Sequence, residues 1–394
     1  MKRALAVLML LAVASLSGCS QLTIFSNYRE IENVEMVKTI GVDSSAAGVM
    51  TTIASGVGQT DDAPRIFSAA GATMASALET LEKLPMGKEM ILSHAERLMI
   101  SEEAARQGIG EYLDHIARTK DMRLDTYIYV VKGGAGKLIR SASSGNASAS
   151  EMMRHLEKYA EDIGGSYAFS CEDIAAALAI RGCGLIMAVE GVERESGSEK
   201  DGSVVIVPAG FAIIRDGALT GYLTQEESLG AALLMERTRS DTLELRLDGG
   251  TVTINMTGAK TELEPVFDGN ALKRVDIRVE TQANVVSLPQ GARIMDEDFR
   301  KEIEGAFAET ELERILLALE RSKRENADIM ALEDRVERAS PVSFRRMSES
   351  WDDIFPELEF HVSVSTILRR TYDIDDPLSV TGEEETTVWE KLTK

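Results

Sequence analysis

The chain has 394 residues, 44% of them apolar, and carries 43 Lys plus Arg against 65 Asp plus Glu, a formal charge of −22. That length suits two or three packed domains, and that apolar share excludes wholesale disorder. The acidic balance excludes a nucleic-acid binder working through a basic stripe, and adhesion to anionic lipid through a polybasic surface. Four histidines and three cysteines, widely scattered, leave little material for a metal site.

The chain opens Met1-Lys2-Arg3, followed by an apolar stretch from Ala4 to Leu16 interrupted only by Ser15. A basic start and a short apolar core are the layout of an export signal. As a helix this stretch rises about 20 Å, short of the roughly 30 Å hydrocarbon layer, so a leader is expected rather than a permanent span. Leu16-Ser17-Gly18-Cys19 follows at once and looks like a bacterial lipobox. On that reading residues 1–18 are a lipoprotein signal peptide, and Cys19 receives a thioether-linked diacylglycerol and becomes the first mature residue. Residues 19–33 then form a lipidated tether. Two acyl chains suffice for stable attachment, because each buried CH₂ contributes about 0.8 kcal/mol. Loss of Lys2 and Arg3 with the leader takes the net charge from −22 to −24, so the body is repelled from anionic headgroups. No later segment is long and apolar enough to cross a bilayer, and the body is expected outside the membrane. Of the remaining thiols, Cys171 and Cys183 are compatible with a disulfide in an exported protein and equally with two buried free cysteines.

Val34 to Val42 is rich in β-branched residues and ends at Gly41-Val42-Asp43, which predicts a strand and a turn. Met74, Leu78 and Leu81 share one face of a helix, with Pro85 beyond its end. Glu96 to Ile100 reads as a short strand. Ser101 is placed to cap the next helix, with Glu102 and Glu103 in its positively polarised first turn and Ile109, Leu113 and Ile116 as its buried stripe. Leu124 to Val131 contains the strong β formers Tyr127, Ile128, Tyr129 and Val130. Tyr127 and Tyr129 are consistent either with exposed docking aromatics or with a strand buried on both faces. Ser141 to Ser150 is a low-complexity linker, and Glu193 to Ser203, charged and without apolar periodicity, is the best domain boundary.

Beyond it, Asp216-Gly217 supplies the positive φ angles of a tight hairpin. Three runs then alternate: Leu243, Leu245, Leu247; Val252, Ile254, Met256; Val275, Ile277, Val279. Each buries one face only. A long helix is expected from about Met295 to Leu332, with the stripe Phe299, Ile303, Phe307, Leu312, Ile315, Leu316 and Leu319 slipping once near Glu311. Its charged side is available to a partner subunit. Leu358, Phe360, Val362 and Val364 alternate as a last strand. The expected fold is α+β, with several mixed α/β units and antiparallel sheets, the C-terminal sheet being covered by the one long amphipathic helix. The units fall at 34–192, with room for two subdomains, and at 203–372, followed by an acidic tail at 373–394.

Signs of catalysis are weak. Lys132-Gly133-Gly134-Ala135-Gly136-Lys137-Leu138 lacks the first glycine of a phosphate loop and has Leu138 where a magnesium-binding hydroxyl belongs, so a strand-to-helix turn is expected. His94, His115, His155 and His361 show no ligand spacing. Ser93-His94 and the pair Asp352-Asp353 carry no catalytic geometry of their own. No catalytic residue, cofactor site or metal site is assigned, and the ligand-binding residues stay unknown.

Several ordered blocks nevertheless resemble one family. They are Tyr28-Arg29-Glu30-Ile31-Glu32, Thr39-Ile40-Gly41-Val42-Asp43, Leu92-Ser93-His94-Ala95-Glu96 and Gly108-Ile109 through Val131-Lys132-Gly133. In the second half they are Ala209-Gly210-Phe211-Ala212, Gly221-Tyr222-Leu223, Glu226-Glu227-Ser228-Leu229-Gly230, Ala327-Asp328-Ile329, and the run from Trp351-Asp352-Asp353-Ile354-Phe355-Pro356 to Arg369-Arg370-Thr371. The sequence resembles the Ger(x)C family, the lipoprotein C subunits of spore germinant receptors (GerAC- and GerBC-like). It departs from the family pattern in the spacer Ser20 to Asn27, in Val285-Val286 where a glutamate is expected nearby, and in Phe344 where tryptophan is common. The resemblance implies a non-enzymatic, lipid-anchored subunit on the outer face of the inner spore membrane, beside A-type and B-type integral-membrane partners. It also implies three mixed α/β units. The alternative from another class is a substrate-binding lipoprotein delivering a small solute to a transporter; a cell-envelope hydrolase ranks third.

Overall fold

A computed structural model of the chain describes residues 33–55, 64–84, 87–144, 148–193, 204–289 and 296–371. The leader, the lipobox with Cys19, the tether through Glu32, Pro85 and the acidic tail fall outside these residues. The chain begins with β1 (Val34–Ser45), β2 (Gly48–Ser55), β3 (Ile66–Gly71), α1 (Met74–Glu82), β4 (Glu89–Ile91), β5 (Arg97–Ser101), α2 (Glu102–Gln107), α3 (Gly110–Arg118) and β6 (Tyr127–Val131). It continues through α4 (Ala135–Ala142), α5 (Ala149–Ile163), β7 (Phe169–Ser170), α6 (Cys171–Arg181), β8 (Cys183–Glu193), β9 (Val204–Arg215) and β10 (Ala218–Tyr222). The rest is α7 (Gln225–Leu234), β11 (Asp241–Leu247), β12 (Gly250–Asp268), β13 (Ala271–Ser287), α8 (Glu297–Arg324), α9 (Leu332–Ala339), α10 (Pro341–Met347), α11 (Trp351–Ile354) and β14 (Glu359–Thr371).

The first sheet runs β10-β9-β8-β6-β5-β1-β2-β3, with β4 on β1 and β7 on β6. Its centre is parallel, β1 with β5, β5 with β6 and β6 with β8. Such strands are apolar on both faces because helices cover both. Ile40, Leu98, Ile100, Ile128 and Val130 pack with α1, α2, α3 and α6, while Met99, Tyr129, Val131 and Met187 pack with α4 and α5. Met74, Leu78, Leu81, Ile109, Leu113 and Ile116 are all buried, as their spacing requires. The single helix expected from Ser101 is two, α2 and α3, because the chain turns at Gly108 (φ 132°) and Ile109 lies between them. Ser101 caps α2, its hydroxyl accepting the N–H of Ala104 at 3.3 Å. The turn expected at Gly41-Val42-Asp43 is instead strand, and β1 pairs with β2 as far as Ser45 and Gly48. Gly41 serves packing: a Cβ there would lie 2.7 Å from the Ile139 side chain on α4.

Asp216 and Gly217, with φ of 51° and 77°, make the expected hairpin between β9 and β10. That hairpin belongs to the first sheet. β8 and β9 pair from Cys183 with Arg215 to Glu193 with Val204, so the polar stretch read as a boundary connects two neighbouring strands of one sheet. The change of sheet comes later, across α7.

The second sheet runs β11-β12-β13-β14. β11 to β13 are antiparallel and bury Val252, Ile254, Met256, Val275, Ile277 and Val279 as their alternation requires. β14 joins in parallel, because the chain leaves β13, crosses by α8 and re-enters in the same direction. Helix α8 runs back along β14: Glu304 accepts the N–H of Leu368 at 3.0 Å, and Lys323 donates to the Leu358 carbonyl at 2.8 Å. In this way α8 satisfies polar groups that an edge strand otherwise presents to any other chain.

Two details of α8 differ from the sequence reading. After Glu311 the buried face passes to Arg314, Ile315, Ala318 and Leu319, and Leu316 turns outward at 41% exposure. The reason is that α7 and β11 present carboxylates to that side of the helix, and Arg314 meets them. The helix also stops at Arg324 rather than Leu332. Asn326 and Ala331 take left-handed φ of 49° and 54°, and the wholly enclosed Asp328 between them accepts the N–H groups of Leu332 and Glu333 at 2.9 and 2.8 Å. It thereby starts α9 as a new helix.

Phe307 is fully buried among the second-sheet residues. Phe307→Ala is expected to cost about 3–5 kcal/mol, read as a lowered denaturation midpoint at unchanged m-value. An unchanged midpoint would show that this face is not core.

Candidate functional site

In sheets with parallel strands, ligands meet the carboxyl ends of the strands. Here the ends of β1, β5 and β6 surround a cleft of about 500 Å³ lined by Asp43, Ser44, Ser101, Glu102, Glu103, Arg106 and the backbone of Gly133-Gly134. The sequence brings these residues together through three short connections: β1 into its hairpin, β5 directly into α2, and β6 through the glycine-rich turn into α4. Asp43 dominates. Its Oδ1 and Oδ2 accept the N–H groups of Ala135 and Gly136 at 2.7 and 2.8 Å. A carboxylate of the chain itself thus occupies the start of α4, where a phosphate would have to sit. Gly136 permits the approach, since a Cβ there would lie 2.6 Å from Thr52 Oγ1 and 3.0 Å from Asp43 Oδ2. The glycine-rich segment is a strand-to-helix turn with its anion already in place.

The remaining lining is acidic. Glu102 holds Arg106 one turn away at 2.9 Å, which leaves Asp43 and Glu103 without a matching cation among the lining side chains. Such a cleft disfavours anions and accommodates cationic or hydrogen-bond-donating groups. The Ser101 hydroxyl is committed to capping α2, so no serine–base pair forms there.

At the opposite ends of these strands lies a second polar constellation. Arg97, 3% exposed, forks onto Glu157 of α5 at 2.5 and 2.7 Å and donates to Glu96 at 2.7 Å. Lys38 completes the set on Glu96 at 2.6 Å. Tyr129 is wholly buried and donates to Glu157 at 2.8 Å; burial, then the Glu157 charge, pushes its phenol well above the usual range. Tyr127 is the exposed neighbour at 37%. Of the two tyrosines, only Tyr127 therefore offers an aromatic surface.

The other sequence candidates are dispersed. His94 and His155 are exposed, His115 is half-buried on α3, and His361 is exposed on β14 with Nε2 2.8 Å from Glu359. Among the described residues no group of three or more His, Cys, Asp or Glu is arranged to hold a metal ion. Cys171 and Cys183 are free and buried, in cores on different sides of the first sheet. Burial raises them to about 11 and about 12, values that keep the reactive thiolate scarce. Asp352 joins a structural link across the molecule, accepting from Arg215 of β9 at 3.1 Å, beside the Arg181–Asp334 pair at 2.8 Å. Sequence reasoning missed Asp43, Arg97 and Asp328 as organising residues, although each lies in or next to a block that carries the family resemblance.

Residues 27–190 match the family model described as the spore germination protein N-terminal domain, and residues 209–372 match that described as spore germination B3/GerAC like, C-terminal. Spore germination protein B3 of Bacillus subtilis (strain 168) is 21% identical over 281 residues, 69% of this chain and 72% of its own. YfkR of the same organism, also named for spore germination, is 20% identical over 299 residues, 75% of this chain and 76% of its own. The crystal structure of the GerBC protein superposes with a TM-score of 0.51 at 14% identity, covering 84% of this chain and 96% of that one, a likeness of fold. The chain belongs to the GerAC-like family of spore germination proteins.

Replacing Asp43 with Ala orphans two helix N–H groups and is expected to cost about 1–2 kcal/mol. Glu103→Ala, at an exposed position of the same cleft, is expected to stay within about 0.5 kcal/mol. Equal midpoints for the two variants in chemical denaturation would contradict the role given to Asp43.

Proposed function

We propose that this member of the GerAC-like family is the lipid-anchored, non-enzymatic C subunit of a nutrient germinant receptor. It acts by binding and positioning A-type and B-type integral-membrane partners on the outer face of the inner spore membrane. The observation that carries this reading is the pair of family matches spanning 27–190 and 209–372, directly behind a lipobox at Leu16 to Cys19. The chemistry agrees with a binding role. Three polar side chains cap helices or join elements: the half-buried Asp43 on α4, and the buried Asp328 on α9 and Arg97 across to α5. No helix among the described residues is long and apolar enough to cross a membrane, and in this reading Cys19 is the point of attachment.

The acidic cleft supports a second reading, a lipoprotein that hands a small cationic or zwitterionic solute to a transporter. Calorimetric titration with such solutes separates the two, because the second reading requires tight binding by the isolated subunit and the first does not.

Cys19→Ala is expected to move the protein from the membrane fraction to the soluble one, to abolish incorporation of labelled palmitate, and to slow nutrient-triggered germination. Palmitate incorporation by the variant would overturn the anchor assignment. Normal germination in a strain lacking this chain and any redundant receptor would overturn the receptor role.

A further inference from the structure

Helix α7 is fixed to the two sheets by different contacts. Toward the first sheet, the Ser228 hydroxyl accepts the N–H of Phe211 on β9 at 3.2 Å. Toward the second, Gly230 lies so close to α8 that a Cβ would sit 2.0 Å from the Arg314 carbonyl. Around that contact the Arg314 guanidinium gathers three carboxylates. Its Nε donates to Glu226 of α7 at 2.6 Å, and its Nη1 donates to Asp241 of β11 and to Glu311 of its own helix, each at 2.8 Å. The Arg314 side chain is 7% exposed, Asp241 11% and Glu311 1%, whereas Glu226 reaches water at 53%. The other charged group that α7 presents here, Glu227, faces Arg324 at 3.9 Å.

One enclosed positive charge cannot neutralise three negative ones, and a buried unpaired carboxylate is costly. A single proton relieves the excess while keeping every hydrogen bond, since a neutral carboxyl still accepts from Arg314. Glu311 is the group placed to hold it. It is the most enclosed of the three, and burial, with the neighbouring Asp241 charge, raises it to about 7 against the opposing pull of Arg314. Burial also pushes Asp241 upward, with Arg314 opposing.

We propose that the α7–α8–β11 junction is a proton-operated clasp, closed when a neutral Glu311 lets Arg314 bridge α7 and β11, and loosened when that proton leaves. The sign follows from linkage. A carboxyl raised from 4.5 to about 7 in the closed form keeps a proton that the opened form has lost, so closure weakens as pH rises between those values and stays weak above them. Glu333 at the start of α9, also raised to about 7 by burial and then by Asp328, adds a fall of the same sign at another place. The test is therefore read on α7 and the middle of α8.

Hydrogen exchange of the full chain at about pH 5.5 and about pH 8, corrected for intrinsic rates, reads the opening directly. In the unaltered chain, opening of α7 and mid-α8 amides is expected to rise at least about tenfold relative to β5 amides at the higher pH. In Glu311→Gln, a neutral mimic, protection is expected to be the same at both. Equal opening at the two pH values in the unaltered chain, or an undiminished pH response in Glu311→Gln, would overturn the proposal. Should the variant fail to fold, the carboxyl ¹³C shift of Glu311 in the unaltered chain decides: a midpoint near 7 supports the clasp, and one at the ordinary 4.5 sinks it.

Discussion

The architecture depends on the contact between Gly230 and the Arg314 carbonyl, where α7 and α8 touch backbone to backbone. At that separation any side chain must push the helices apart. Because they stay together, the end of the first sheet and the whole second sheet enclose one continuous core. Cys183, Leu185, Phe211 and Ile213 of β8 and β9 belong to it, together with Ile254, Ile277, Phe307 and Leu319. The two sheets are consequently bound as neighbouring layers around shared apolar residues, and polar links at Arg181–Asp334 and Arg215–Asp352 fasten its margin.

Seen from this core, most of the family-like blocks have structural reasons. Thr39 to Asp43 supplies the strand and carboxylate that fix α4. His94-Ala95-Glu96 leads into Arg97, whose fork on Glu157 ties α5 to the sheet. Glu226 to Gly230 forms the junction helix, and Ala327-Asp328-Ile329 ends one helix and begins another. Trp351 and Phe355 stack in tilted contact at 6.2 Å, closing the core beneath the entry to β14. The buried charges in these blocks and beside them are thus spent on internal joints.

Much of this was legible in the residues. The stripes of α1 and α3, the Ser101 cap, the Asp216-Gly217 hairpin and the alternation of β12 and β13 follow from local periodicity and turn chemistry. β2 and β3 escaped because Gly48–Ser55 and Ile66–Gly71 are rich in Gly, Ala, Ser and Thr; their small side chains serve close packing, as where Gly71 lies against Ala77 of α1. The parallel arrangement was hidden for a different reason, since strands covered on both faces lose the alternation that marks an exposed sheet. Long-range pairing hid the place of β9 and β10: the two family matches divide across the polar stretch, ending at 190 and beginning at 209, while the backbone of β9 and β10 completes the first sheet. In α8, Leu316 left its expected buried face because the deciding partners of the neighbouring Arg314, Glu226 and Asp241, come from distant segments. The acidic cleft was unreadable for the same reason. Cys19 remains a reading of the lipobox.

Calorimetric unfolding of the full chain at about pH 6 tests the shared core most directly. A single transition whose calorimetric and van't Hoff enthalpies agree is the predicted result, because neither sheet can lose its packing without opening the other. Two separated transitions in the unaltered chain would contradict it and make α7 a linker between independent domains.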